Sequence, residues 1–147
     1  MRRPGRQSRD PKLERLGQVR LFSACSKREL SRIAALTEEV DVPAGKVLMR
    51  QGDPGHEAFV ILEGTARASV RGKKSTRMGP GACFGEMALL HSAPRSATVT
   101  AETDMHLAVL NSREFSTLLE DVPSVARKVL AAMAERLRDV ERPQPHH

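Results

Sequence analysis

Five turn signals between Val42 and Ala82 decide what this chain can fold into. Pro43-Ala44-Gly45, the loop from Gln51 to Gly55, Glu63-Gly64, Gly72-Lys73-Lys74 and Gly79-Pro80-Gly81 cut the sequence into runs too short for helices. Between them stand Val40 to Val42, Val47 to Arg50, Ala58 to Glu63, Thr65 to Arg71 and Ser75 to Met78. Further on, Ser96 to Glu102 and Met105 to Leu110 flank a Thr103-Asp104 turn. Short β-prone runs at this spacing, separated by glycine and proline, predict an eight-stranded β-roll of the jelly-roll type.

Helical signals lie only at the two ends, so the fold class is mainly β with flanking α. Ser26-Lys27-Arg28-Glu29 reads as a capping box ahead of Leu30, Ile33, Ala34 and Leu36 at helical spacing, with a weaker helical stretch from Leu13 to Arg20. Past the strands, Ser112 opens a helix to about Glu120, Asp121-Val122-Pro123 breaks it, and Ser124 is the expected cap of a final helix. In that helix Val125, Val129, Met133, Leu137 and Val140 form one apolar stripe. With no Trp or Tyr and only four Phe, the core has to be aliphatic.

The net charge of +6 is unevenly spread. Residues 1–20 carry seven Arg or Lys against two Asp or Glu, so this stretch holds +5 and the remaining 127 residues only +1. We therefore expect three parts: residues 1–20 as a basic, flexible arm with a short helix, 21–141 as the folded domain, and 142–147 as a disordered tail. A basic arm can meet nucleic acid or an anionic membrane surface, but a solvated tail is its commoner use.

The start is arginine-rich with no apolar core segment, and the longest unbroken apolar run, Val129 to Ala134, is six residues, against about 20 for a membrane span. Cys25 and Cys83 have no pairing signature, and the five histidines show no metal-ligand spacing. These features lead us to expect a cytoplasmic protein with reduced thiols, no metal and no cofactor.

The chemistry concentrates between Phe84 and Val99. Gly85 opens a short apolar helical turn, Glu86 takes its first position, and Arg95 follows nine residues later. Backbone N–H groups at a helix start suit a phosphate, glycine lets a ligand approach the main chain, and a guanidinium fork matches two phosphate oxygens. An acid in such a pocket repels the ligand unless it accepts a hydroxyl. A phosphorylated sugar therefore fits better than a bare anion.

The runs Phe84-Gly85-Glu86-Met87-Ala88-Leu89-Leu90 and Pro94-Arg95-Ser96-Ala97-Thr98-Val99 resemble the phosphate-binding cassette of the cyclic nucleotide-binding domain family. The upstream glycine turns and the strand Phe59-Val60-Ile61-Leu62 are similar to that family's β-roll, and the final helix to its lid helix. The resemblance implies that Glu86 holds the ribose 2′-hydroxyl, that Arg95 pairs with the cyclic phosphate, and that Ser96 also contacts it. It further implies a ligand-binding set of Phe84, Gly85, Glu86, Met87, Ala88, Arg95, Ser96 and Ala97. Val70 joins them as pocket wall, and Arg136 on the lid helix as the base reader in the manner of cyclic nucleotide-gated channels. Met87, Val60, Val70 and Leu89 also have a plainer reading as core, as Cys83 has one as a small buried hydrophobe.

The expected function is a regulatory, non-enzymatic sensor that binds cyclic AMP, or less readily cyclic GMP, and repositions its last helix. Its expected partners are a protein effector and a second copy through that helix, with no DNA-binding domain and no transmembrane segment. The sequence reads equally as a free-standing sensor or as one domain of something longer. Two alternatives stay open: a partner-binding domain with a vestigial pocket, and a cupin-type metal enzyme on the same roll.

Overall fold

The computed structural model describes residues 11–71, 74–91 and 93–141, with the side chains of Arg136 and residues 139–141 outside that description. Residues 1–10 of the arm expected over 1–20 and the tail at 142–147 also lie outside the described residues, as do residues 72 and 73 of the fourth turn. Eight strands form two antiparallel four-stranded sheets. They are β1 (Glu38–Val42), β2 (Val47–Met49), β3 (Glu57–Glu63), β4 (Ala66–Ser69), β5 (Thr76–Met78), β6 (Cys83–Phe84), β7 (Thr98–Ala101) and β8 (Met105–Asn111). The sheet orders are β1-β8-β3-β6 and β2-β7-β4-β5. First pairs with last, second with seventh, third with sixth and fourth with fifth. One long hairpin folded over on itself gives that order, and it is the expected jelly roll.

Strands β3 and β8 show why the sequence folds this way. Along β3, Phe59 and Ile61 face the interior of the roll with Met49, Val99, Met105 and Leu107. Ala58, Val60 and Leu62 face the other side, where Ala108 and Leu110 of β8 join them in a second core against the helices. An alternation of two with both faces apolar is what a strand sandwiched between two layers requires. The turns contribute through backbone shape. Gly64 sits at φ +95°, and a Cβ there would lie 2.5 Å from the Asp104 carbonyl oxygen.

The helical layer comprises α1 (Pro11–Gln18), a 3-10 turn at Arg20–Phe22, α2 (Lys27–Ala34), α3 (Ser112–Asp121) and α4 (Pro123–Glu141). The predicted capping box at α2 is present: Ser26 accepts from the Glu29 N–H while the Glu29 carboxylate accepts from the Ser26 N–H. Helix α1 is part of the packed body. Its Leu16 is fully buried, and Val19 and Leu21 just beyond are buried too, so the core includes residues ahead of the domain start expected at Leu21.

Several expectations need correction. Helix α4 starts at Pro123, whose missing N–H costs nothing in the first turn, and the Ser124 hydroxyl does not cap it but donates to Glu29 of α2. The apolar stripe of α4 splits: Val125 and Val129 are buried, whereas Leu137 is 59% exposed. Met87, read also as core, is 44% exposed. Cys83 is only half-buried. Strand β6 was not foreseen, and the run from Thr65 to Arg71 contributes only Ala66–Ser69 to β4.

Candidate functional site

Gly85 takes φ +76°, a left-handed turn that ends β6 and starts a 3-10 turn at Glu86–Leu89. This reversal leaves a cavity of about 280 Å³ in front of the turn. Gly85, Glu86, Met87 and Ala88 line one side, Pro94, Arg95 and Ser96 the other, with Met49, His91 and Ala93 completing the wall. Six of the ten sequence-predicted residues thus line one cavity.

Arg95 is placed by both its backbone and its side chain. Its N–H donates to the Asp53 carbonyl (2.8 Å), and its own carbonyl accepts from the Gly52 N–H (2.9 Å). Pro94 forms an isolated bridge with Pro54. The loop from Gly52 to Gly55 therefore clips the cassette to the roll. The side chain runs past Gly55 and Gly85, and its Nη1 donates to the Glu57 carbonyl at 2.8 Å. Its Cζ stands 5.8 Å from the centroid of the Phe59 ring, within cation–π range.

That surrounding has an electrostatic consequence. Arg95 is half-buried, and burial pushes its guanidinium below the ordinary arginine value, with the Glu57 carboxylate opposing the shift. It remains charged at any physiological pH. A partly desolvated cation bordering a cavity gains from an anion that replaces lost hydration. Glu86 is half-buried and also borders a second cavity of about 190 Å³, behind the turn, walled by the segment from Gln18 to Leu21 and by Ala132 of α4.

The remaining predicted residues lie elsewhere. Phe84 is buried beneath the site and stacks on Phe59 with centroids 4.9 Å apart, so it supports Arg95 through that ring. Ala97 packs against the roll interior. Val70 lines a separate groove at the rim with Gln51, Gly52, Ser69, Arg71 and Thr98. That groove adjoins the cassette through Gly52. Arg136 lies on α4, and its side chain is outside the described residues. Among the described residues, no group of three or more His, Cys, Asp or Glu comes together to hold a metal, and no helix is long and apolar enough to cross a membrane.

Sequence reasoning missed Met49, Phe59, Gly55 and the Glu57 carbonyl. Gly55 was visible as part of a turn, but nothing local tied that turn to Arg95. A main-chain carbonyl has no residue-type signature.

Comparison with known proteins agrees with this fold. The family model described as the cyclic nucleotide-binding domain matches residues 39–122. A cyclic nucleotide-gated potassium channel of Mesorhizobium japonicum is 39% identical over 118 residues, covering 80% of this chain and 33% of the channel. The N-terminal domain of a transcriptional regulator from Streptomyces coelicolor superposes with a TM-score of 0.79 at 29% identity, covering 90% of this chain and 99% of that one. The regulatory domain of Toxoplasma gondii PKA in complex with cAMP gives a TM-score of 0.66 at 29% identity, covering 76% of this chain and 44% of that one. The chain spans about a third of the length of the first curated relatives it matches. With its jelly-roll order, its cassette and this match across more than half its length, the chain belongs to the cyclic nucleotide-binding domain family.

Proposed function

We propose that the chain binds a cyclic nucleotide, cyclic AMP in preference to cyclic GMP, and that occupancy is signalled through α4. The observation that carries the reading is Arg95, held by the Gly52–Gly55 loop and the Glu57 carbonyl at the mouth of a cavity that Glu86 and Ser96 share. In this reading the guanidinium and the Ser96 hydroxyl hold the cyclic phosphate. Glu86 accepts the ribose hydroxyl, so the acid that would repel an anion becomes a sugar contact. Met49, Met87 and Ala88 supply apolar wall. Regulation in place of catalysis follows the family, which includes a cAMP-dependent protein kinase regulatory subunit in Neurospora crassa, 36% identical over 124 residues.

Signalling needs two arrangements that the ligand distinguishes, since a ligand shifts an equilibrium only by its differential affinity. Helix α4 supplies a candidate boundary. Its first two turns are fixed: Val125 and Val129 are buried, Ser124 and Lys128 both donate to Glu29, and the exposed residues Leu130 (65%) and Leu137 (59%) come after them. The segment that repositions then starts beyond Val129, where Arg136 reaches the base. The same exposed leucines suit a protein effector or a second copy of the chain once the helix moves.

Calorimetry with cyclic AMP, cyclic GMP and AMP tests the reading. Cyclic AMP binds, AMP fails for want of the ring phosphate, and Arg95→Ala weakens cyclic AMP by about tenfold or more, as expected for a lost charged hydrogen bond. Unchanged affinity in that variant removes Arg95 from the site, and no heat from either cyclic nucleotide overturns the assignment.

A further inference from the structure

Two glycines from distant parts of the chain form the slot in which Arg95 lies, and they do so for different reasons. At Gly85 the backbone itself demands glycine, with φ +76°, and a Cβ there would also meet Arg95 Nη1 at 2.7 Å and the Glu57 carbonyl oxygen at 2.9 Å. Gly55 has no such backbone requirement. Its φ lies outside the left-handed range, so alanine fits its main chain. What alanine does not fit is Arg95: an ideal Cβ at Gly55 would stand 2.1 Å from Nε, 2.2 Å from Cζ and 2.6 Å from Cδ.

We infer that Gly55 is a positioning residue for the anion site, its lack of a side chain being what allows the Arg95 guanidinium to lie flat against the loop and face the cavity. The inference rests on the cyclic-nucleotide reading above. A methyl group at Gly55 has to push the guanidinium from 2.1 Å out to the 3.4 Å of ordinary contact. The loop cannot yield instead. Pro54 bridges Pro94, Asp53 accepts from the Arg95 N–H, and Gly52 donates to the Arg95 carbonyl, so loop and cassette move together and the side chain takes the displacement. A guanidinium moved by that much loses its 2.8 Å hydrogen bond to the Glu57 carbonyl and its place over the Phe59 ring. Those two contacts fix the direction of its remaining N–H groups. The site keeps its charge and loses its geometry, and bidentate anion binding depends on geometry.

A double-mutant cycle tests this in the whole chain. Gly55→Ala, Arg95→Ala and the double variant are compared with wild type by calorimetry against cyclic AMP and by thermal unfolding without ligand. Gly55→Ala weakens cyclic AMP by about tenfold, a loss close to that of Arg95→Ala, and the double variant binds no worse than Arg95→Ala alone. In unfolding, Gly55→Ala lowers Tm while Arg95 is present and has little effect in the Arg95→Ala background, where the methyl fills vacated space. This second arm holds even if the single variant folds poorly, because the double variant removes the crowding. Full cyclic AMP affinity in Gly55→Ala, or additive losses in the cycle, overturns the positioning role while leaving the ligand assignment standing. Failure of wild type to bind cyclic AMP overturns the assignment and the positioning role with it.

Discussion

His106 on β8 lies between two carboxylates, its Nδ1 2.6 Å from Asp41 and its Nε2 2.7 Å from Glu39. Carboxylates only accept, and a neutral imidazole has one N–H, so both bonds exist together only in the imidazolium. Lys12 from α1 reaches Glu39 at 3.2 Å, and Glu63 of β3 is the cross-strand neighbour of His106 on its other side. The hydrogen bonds to Glu39 and then Asp41 raise the His106 pKa above its ordinary 6.5. A raised histidine gives its full stabilisation below 6.5 and loses it as pH climbs through the folded value. Thermal unfolding across this range therefore shows Tm falling above pH 6.5, and His106→Gln flattens that fall; an unchanged profile in the variant excludes the imidazolium as its cause. Neither this triad nor the Arg95 slot was legible in the sequence. Glu39, Asp41 and His106 meet through strand register, and Gly55 meets Arg95 across forty residues of chain. By contrast, the shared cavity of Glu86, Arg95 and Ser96 was legible because one local cassette carries all three.

Helix α4 shows how a segment can have a legible existence and an illegible role. The break at Pro123 and the helix beyond it follow from local signals, and both are present. What its residues touch depends on α2. Glu29 serves the cap of its own helix and also accepts from Lys128 Nζ at 2.6 Å and from the Ser124 hydroxyl, so one carboxylate ties two helices together. These hydrogen bonds, Lys128 first, hold its pKa at about 2 against burial, which acts to raise it. A depressed carboxylate stabilises above its unfolded value of 4.5 and loses that contribution as pH falls toward 2. Acid unfolding should show an apparent loss of about 2 kcal/mol over this window. Glu29→Gln keeps a side chain able to close the capping box but removes the titration, so its stability is lower near neutrality and flatter in acid; an identical acid profile would sink the assignment. Strand β6 was illegible for a simpler reason. Two residues, Cys83 and Phe84, have no periodicity to read, and their pairing with Val60 and Phe59 is set by β3.

Across the molecule, the roll was legible because turns and strands alternate locally, and the jelly-roll order then leaves few ways to connect eight short strands. The packing of α1 was illegible because its sequence is dominated by charge, whereas its place in the fold is set by the buried Leu16. The packing has a further consequence for β3. Positions 58–62 are all buried, alternately toward the roll interior and the helices, and the strand begins at the carbonyl that holds Arg95. A beam shared by two cores has no neutral face. Polar or charged replacements at 58–62 should be rejected at every position in a library of single substitutions scored for folding, whereas an ordinary half-buried strand accepts them at alternate ones. The strand whose first carbonyl holds Arg95 is thus also the wall on which the helical layer rests, through Ala58, Val60 and Leu62.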